Sequence, residues 1–205
     1  MRSLPRFAAG LLACIATALC VAQTASPAQP SVRLRGTIQS VAASALTIKE
    51  RSGEVINLVL SDKLVVSEVF PVAFADIRPG SYIGTGAVPQ PDGSRRAVAV
   101  TVFPETARGV GEGDYPFDAL PSGTMTNATV AEVVAAPAGR QLRLKFKGGE
   151  ATIVVPEQAP VVSFRPADRN LLVPGASIAV SAQVIDGKPT ALRISAGRDG
   201  FAVPY

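Results

Sequence analysis

Apolar and polar residues alternate along most of the chain with the period of two that is typical of β-strands. The clearest case lies within residues 141–147, where Leu142, Leu144 and Phe146 alternate with three cations. Successive side chains of a strand point to opposite faces, so these apolar residues predict one buried face. Similar short runs are rich in Val, Ile, Leu and Thr and end at Gly, Pro, Ser or Asp. The pattern therefore predicts an all-β protein.

The runs follow a fixed order of elements. Three strands come first, then a short apolar piece that ends at Arg78-Pro79-Gly80, and then two more strands. Pro91-Asp92-Gly93 joins the last two strands and is a turn signal, because glycine accepts a positive φ and aspartate can bond its own backbone. We expect strands over residues 32–41, 45–49, 54–60, 81–88 and 95–103, and one helical turn within residues 72–77.

This order occurs twice, which indicates an internal repeat. The first repeat covers residues 32–103 and the second covers residues 123–199. The matching segments keep their sequence order, and the offsets between them change only in predicted loops. The matches include Gly36-Thr37-Ile38 with Gly123-Thr124-Met125, Val65-Val66-Ser67 with Val161-Val162-Ser163, Pro79-Gly80 with Pro174-Gly175, and Asp92-Gly93 with Asp186-Gly187.

Three strands, a short helical piece and two strands make up the element order of an OB-like barrel. Each repeat has this order, so we predict two small OB-like β-barrels in tandem, one from each repeat. A single β-sandwich built from both repeats is the alternative.

The same residues resemble a family of bacterial exported domains of unknown function, which are often found in tandem. The resemblance rests on Gly36-Thr37-Ile38 at the start of a strand, on Leu46 and Ile48, on Ile77 with Pro79-Gly80, and on Asp92-Gly93 before a closing strand. It covers nearly all of the chain after the leader, but its motifs consist of turn and core residues. The resemblance implies an extracytoplasmic β-barrel and assigns neither an activity nor a catalytic residue.

The first 30 residues have the features of an export leader. Arg2 and Arg6 precede an uncharged run rich in Ala and Leu, and Cys20-Val21-Ala22 places small residues at the cleavage site. We predict a signal peptide over residues 1–22 and a flexible lead-in over residues 23–31. The mature protein is then periplasmic or secreted.

Two alternatives bear on this leader. The apolar run is shorter than the ~20 residues that a membrane-spanning helix needs. Pro, Gly or charge interrupts every later apolar stretch, so we expect no transmembrane segment in the mature chain. Leu11-Leu12-Ala13-Cys14 loosely resembles a bacterial lipobox, which would place a lipid on Cys14.

Residues 104–122 differ from both repeats and form a predicted linker. They hold three glycines and four acids against the single Arg108, and we expect an exposed hinge between two barrels. In one alternative, Tyr115 and Phe117 anchor the linker on both barrels. In another, Glu112, Asp114 and Asp118 contribute to a calcium loop, although calcium needs about six to eight oxygens. Residues 200–205 form a C-terminal tail.

The composition excludes several kinds of chemistry. The chain has no His, and its two Cys, Cys14 and Cys20, both lie in the leader. Zinc, copper and haem sites therefore lack their usual ligands, and nucleophile systems that use histidine are impossible. The acids sit mostly at turns and strand ends, where solvated charge is expected. We predict that the protein is not an enzyme and has no cofactor.

The best candidate for a binding site is the polar face of residues 141–147. Arg143, Lys145 and Lys147 share that face, and Arg140 directly precedes it. Extended ligands of OB-like folds lie on this part of the barrel, so these four cations predict a basic strip for an anionic ligand. The alternative is an ordinary solvated face, because no aromatic residue shares it.

These observations predict a non-catalytic exported protein with a binding or structural role. One alternative is a soluble accessory component of an envelope transport system, with an envelope protein as its partner. Another is an OB-like module that binds a polyanion or a glycan. Removal of Arg2 and Arg6 lowers the net charge from +4 to +2, and so mild an excess gives no reason to expect a specific nucleic-acid partner.

Overall fold

The computed structural model describes residues 31–136 and 139–204. The predicted signal peptide, Cys14 and all of the lead-in before Ser31 lie outside these residues. No helix in the described part of the chain is long and apolar enough to cross a membrane. The described residues form the strands β1 (Ser31–Val41), β2 (Ala45–Glu50), β3 (Val55–Pro71), β4 (Tyr82–Pro89), β5 (Arg95–Val102), β6 (Gly113–Pro116), β7 (Thr124–Ala136), β8 (Gly139–Phe146), β9 (Gly149–Val155), β10 (Val161–Ala167), β11 (Ser177–Ile185) and β12 (Lys188–Gly197), with 3-10 turns at Phe74–Asp76, Glu105–Ala107 and Arg169–Leu171.

The all-β prediction is confirmed, and the alternation along β8 has the expected outcome. Leu142 and Leu144 are buried, whereas Arg143 and Lys145 are exposed. The predicted helical turn before β4 is a 3-10 turn over Phe74–Asp76.

β3 is longer than the sequence predicts, because it continues past Leu60 to Pro71. The corresponding part of the second repeat is divided into β9 and β10, and the division falls at Pro156. Proline has no backbone N–H to donate to a strand ladder. Leu60, 96 positions before Pro156, keeps its N–H and donates it to the Ser44 carbonyl at 2.8 Å.

Five strands close into a first barrel, which we call barrel A. Its circuit runs β3-β12-β11-β1-β2 and back to β3, and the closing pair of β3 and β12 is parallel. Its core contains the largest fully buried side chains of these strands. They are Ile38, Leu46, Ile48, Leu58, Ile178 and Ile194.

A second circuit of five strands, barrel B, runs β5-β4-β7-β8-β9. β9 returns to β5 through a short parallel contact, in which Arg95 pairs with Ile153 and Arg96 with Val154. β10 lies between the barrels, antiparallel to β3 and parallel to β5. All twelve described strands therefore belong to one continuous sheet.

The structure differs from the prediction of one barrel per repeat, and also from a single sandwich. Barrel A takes β1, β2 and β3 from the first repeat but β11 and β12 from the second. Barrel B takes β4 and β5 from the first repeat and β7, β8 and β9 from the second, and β10 of the second repeat belongs to neither circuit. The physical reason is the length of β3. Because β3 runs on as one extended strand of 17 residues, the chain leaves barrel A before the last two strands of the first repeat begin.

The pairing of β3 with β10 is symmetric between the repeats. Val66 pairs with Ala167, and Val162 pairs with Pro71. Val162 follows Val66 by 96 positions, and Ala167 follows Pro71 by the same number. Exchanging the two repeats therefore leaves this register unchanged.

The linker packs on barrel B, so the expected exposed hinge is wrong. β6 pairs with β7, the Tyr82 hydroxyl donates to the Val110 carbonyl at 3.1 Å, and Phe117 is only 7% exposed. Asn127 donates to the Tyr115 hydroxyl at 2.9 Å. The two aromatic residues anchor the segment, as the packed-linker alternative predicted.

Candidate ligand-binding groove

The predicted basic strip lies on the outer face of barrel B, but neighbouring strands bring acids to it. Arg143 forms an ion pair with Glu132 of β7 at 3.2 Å, and Lys145 forms one with Glu150 of β9 at 3.3 Å. Two central charges of the strip are therefore neutralised across the sheet. Exposed ion pairs such as these contribute little to the free energy of unfolding, but each acid repels an anionic ligand that approaches the strip.

The two outer members of the strip also have neighbours. The Arg140 guanidinium lies 4.0 Å from the ring centroid of Phe74, so this cation stacks on an aromatic face. The backbone N–H of Lys147 donates to the Glu112 carboxylate at 3.0 Å. These contacts favour the alternative of an ordinary solvated face, and ligand binding at the strip stays a prediction.

The three acids of the calcium alternative make contacts in three different places. Glu112 accepts from Lys147, and Asp118 accepts from Arg35 at 3.0 Å. Asp114 accepts from Arg95 at 2.8 Å and from the Thr126 hydroxyl at 2.9 Å. The described residues contain no group of three or more His, Cys, Asp or Glu that could hold a metal ion.

Asp114 shows how its environment settles the charge of an acid. Burial by itself would raise its pKa, but the hydrogen bonds from Arg95 and Thr126 outweigh that effect and lower the pKa below its ordinary value. Asp114 thus fastens the linker to barrel B as a carboxylate.

Three neighbouring depressions that the sequence did not predict lie where the barrels meet, and Ser195 of β12 lines all three. We call them together the central groove, of which each depression is one part. Arg35 and Ala179 are shared by the first and second parts, and Phe164 by the second and third.

The three parts differ in their walls. The first, of 230 Å³, lies on β1, β11 and β12 and includes Arg33, Arg35 and Arg193. The second, of 250 Å³, lies between the barrels. The third, of 320 Å³, extends past Val65 and Pro104. The second part is lined mainly by apolar side chains: Val69, Phe117, Met125, Val162, Phe164 and Val203.

The strand pattern explains why Ser195 faces the groove. Its neighbours Ile194 and Ala196 belong to the core of barrel A, so Ser195 points outward. Its hydroxyl lies 2.9 Å from that of Ser67 on the adjacent strand β3. Ser67 belongs to the first predicted repeat and Ser195 to the second, so the floor of the groove combines residues from both segments.

An apolar cluster forms the middle of the floor. Val69 and Val162 are buried there together with Val203, and Phe164 packs against them. The Phe164 ring meets the Phe103 ring edge-on, with centroids 5.5 Å apart. An edge-on arrangement is a favourable geometry for two aromatic rings, so this contact helps to position Phe164 in the floor.

The C-terminal segment, residues 198–204, lies across barrel A and forms one wall. The Val203 N–H donates to the Ser177 hydroxyl at 3.1 Å, and Arg51 donates to the Val203 carbonyl at 3.4 Å. The segment crosses so close to Gly197 that a Cβ there would overlap the Phe201 carbonyl. The predicted tail is therefore a packed element as far as Pro204.

Cations outnumber acids along the groove. Asp118 accepts from Arg35 at 3.0 Å and lies 3.8 Å from Arg33. Arg193 is exposed and has no ion-pair or hydrogen-bond partner for its side chain within residues 31–136 and 139–204. The three arginines of the first part thus face one carboxylate, and Arg193 keeps all of its donors available.

The buried Glu68 does not reduce this charge excess. Glu68 lies between Ser67 and Val69, which face the groove, so its own side chain points to the opposite face. There it is 4% exposed and accepts from Arg165 and Arg198, each at 3.0 Å. The hydrogen bond from Arg198 has the largest effect on Glu68 and the one from Arg165 the next largest, and these bonds lower the pKa of Glu68 to about 2.

A separate depression of 370 Å³ lies at one end of barrel A. Its lining includes the turn residues Gly175 and Gly200, and its cation Arg198 is already bound to Glu68. It offers no uncommitted cation among its lining residues, which makes the central groove the better candidate.

Sequence reasoning missed the groove because its residues look like ordinary core residues. Val65-Val66-Ser67 and Val161-Val162-Ser163 stand out as matching segments, but nothing in them shows that β3 and β10 pair with each other.

Comparison with known protein families, with curated proteins and with solved structures found no match for this chain.

Proposed function

We propose that the protein is a non-catalytic, exported binding protein whose ligand occupies the central groove. The observation that carries the proposal is the combination of a packed apolar floor at Val69, Val162 and Phe164 with the uncommitted cation Arg193 in the adjoining part. Binding sites are concave and mostly apolar, with a few polar groups that fix orientation. Export rests on the predicted leader, residues 1–22.

The ionisation of the acids in the described residues offers no candidate for a carboxylic general acid. A general acid that works near neutral pH needs a raised pKa. Hydrogen-bond donors beside the carboxyls act in the opposite direction. Among the described residues, every carboxyl with a clearly shifted pKa has a lowered one: Glu50, Glu68, Asp92, Glu105 and Asp114.

The proposal includes an evolutionary origin for the groove. We infer that the two repeats arose by duplication of an OB-like unit and then exchanged their last two strands. The register of β3 with β10, which is unchanged when the repeats are exchanged, supports this origin. The exchange places β3 and β10 side by side, and their outward residues then supply the apolar floor.

Binding to the floor can be tested with the neutral fluorescent dye N-phenyl-1-naphthylamine. We expect the dye to gain fluorescence with the parent protein, and Phe164→Ser to weaken its affinity about tenfold, because contact with a buried aromatic side chain is worth roughly 1.5–3 kcal/mol. Circular dichroism and thermal melting of the variant show whether its fold is kept.

Val173→Ser is the matched control, since Val173 is an exposed apolar residue outside the groove. It should leave dye affinity unchanged. A parent protein that binds no dye, or a folded Phe164→Ser protein with parent affinity, contradicts the proposed function.

A further inference from the structure

The shape of the central groove favours an elongated ligand. Its parts have volumes of 230, 250 and 320 Å³, and a compact pocket for a small molecule usually has about 300–1,000 Å³. The first and second parts fall below that range and the third lies at its lower limit, but all three share Ser195 as a lining residue. A narrow ligand that runs along the groove contacts more apolar surface than a compact ligand of the same volume.

The distribution of polar groups places the head of such a ligand. Arg193 lines both the first and the third part, and the hydroxyl of Ser195 lies in the same surface. Ser181 is close by on β11, where it pairs with Arg193. A guanidinium binds a carboxylate through two parallel hydrogen bonds, and a serine hydroxyl can donate a further one. The surface around Arg193 and Ser195, where the parts of the groove share lining residues, therefore fits a carboxylate.

The remainder of the groove fits an unbranched hydrocarbon chain. From Ser195 the apolar floor continues over Val69, Val162 and Phe164 toward Met125. Sugars and nucleic-acid bases need hydrogen-bonding partners along their whole length, and this floor is largely aliphatic. An acyl chain needs only apolar contact, at about 0.8 kcal/mol for each buried CH₂.

Resting on the proposed function, we propose that the groove selects an anionic single-chain amphiphile of the fatty-acid class. The carboxylate binds at Arg193, and the chain lies on the floor between the barrels. Asp118 already holds Arg33 and Arg35, so Arg193 is the residue that distinguishes an anionic from a neutral head.

The test compares laurate with dodecanol, which has the same chain length and a neutral head. Both compounds displace N-phenyl-1-naphthylamine from the full mature chain, below their aggregation concentrations and at low salt. We expect laurate to bind at least about tenfold more tightly than dodecanol, since a charge-assisted pair contributes roughly 1.5–3 kcal/mol. Moderate salt should reduce the difference.

Two variants assign the effect to one side chain. Arg193→Gln should remove the preference for laurate and leave dodecanol affinity unchanged. Arg96→Gln is the matched control, because Arg96 is an exposed arginine in a different depression, and it should keep the preference.

Each outcome decides a different claim. Equal affinity for laurate and dodecanol, or a preference that persists in Arg193→Gln, overturns the inference about the anionic head, while dye binding that depends on Phe164 still supports the proposed function. If neither amphiphile displaces a dye that binds, an acyl ligand is excluded. If the dye itself does not bind, the proposed function fails as well.

Discussion

Replacing Ile194 by alanine is expected to lower the free energy of unfolding by about 2–5 kcal/mol. Ile194 is fully buried at 0% exposure in the core of barrel A. It comes from the second repeat, and it packs in a core that also contains Ile38 and Leu58 of the first. Truncation removes apolar contacts and leaves a cavity that the surrounding strands fill only in part. The loss of unfolding free energy is therefore larger than the free energy of transferring the removed atoms from water to an apolar environment.

Urea unfolding followed by circular dichroism measures this loss, and thermal melting should show a lower Tm by about 2–4 °C for each kcal/mol. Val173→Ala is the control. Val173 is 51% exposed, so its truncation should change stability by no more than about 0.5 kcal/mol. A similarly small effect of Ile194→Ala would show that β12 does not fill the core of barrel A.

Glu68→Gln is expected to give a clear loss of stability at neutral pH. The Glu68 carboxylate is buried and accepts hydrogen bonds from both Arg165 and Arg198. Glutamine has the same shape but no charge, and its amide group offers a donor where two guanidinium groups require acceptors. The side chains of the two arginines are more than half exposed. In the variant water can hydrate their guanidinium groups, so the protein should still fold.

The pH dependence separates the charge of Glu68 from its packing. Its folded-state pKa of about 2 lies below the ordinary value of 4.5. The unfolded state therefore binds its proton first as pH falls, and the stabilisation is complete above about pH 5 and is lost between pH 4.5 and 2. The difference in unfolding free energy between parent and Glu68→Gln should shrink across that window. A difference that stays constant down to pH 2 would show that the carboxylate charge contributes nothing.

Local signals in the sequence were enough to predict most of the strands, but not the extension of β3 to Pro71 or the strand β6 within the linker. The alternation at Leu142 and Leu144 is a property of one strand and needs no knowledge of its neighbours. The turn at Asp92-Gly93 is local for the same reason, and it joins β4 to β5 as expected.

The combination of strands from both predicted repeats in each barrel could not be predicted, because similar strands in the two segments offer similar edges for pairing. Residues that face outward and residues that face the core alternate along β11 and β12, as they must in any barrel of this kind. The local difference that accompanies the new topology is small. Leu60 continues β3, whereas Pro156 interrupts the corresponding strand of the second repeat.

The site was missed for related reasons. The basic strip was found because its cations share one strand, but Glu132 and Glu150 reach it through pairing with β7 and β9. In the same way, Phe164 and Ser195 become groove residues only after β10 and β12 have met β3. Cross-strand neighbours depend on register, which the sequence specifies only through the whole fold.

The most direct test of the account is a disulfide between the repeats at the floor of the groove, in the double variant Ser67→Cys, Ser195→Cys. These residues pair across β3 and β12, with hydroxyl oxygens 2.9 Å apart. Adjacent strands lie about 4.8 Å apart, within the Cα separation of about 4.4–6.8 Å that a disulfide accepts. A chain that begins at Gln23 has no other cysteine.

The matched control is Ser67→Cys, Ser181→Cys, because Ser181 lies one strand further away on β11. We expect mild oxidation to close an intramolecular disulfide in the monomer of the Ser67→Cys, Ser195→Cys variant and to leave the control with two free thiols. Two free thiols in a folded Ser67→Cys, Ser195→Cys monomer would contradict the exchange of strands and the groove built upon it.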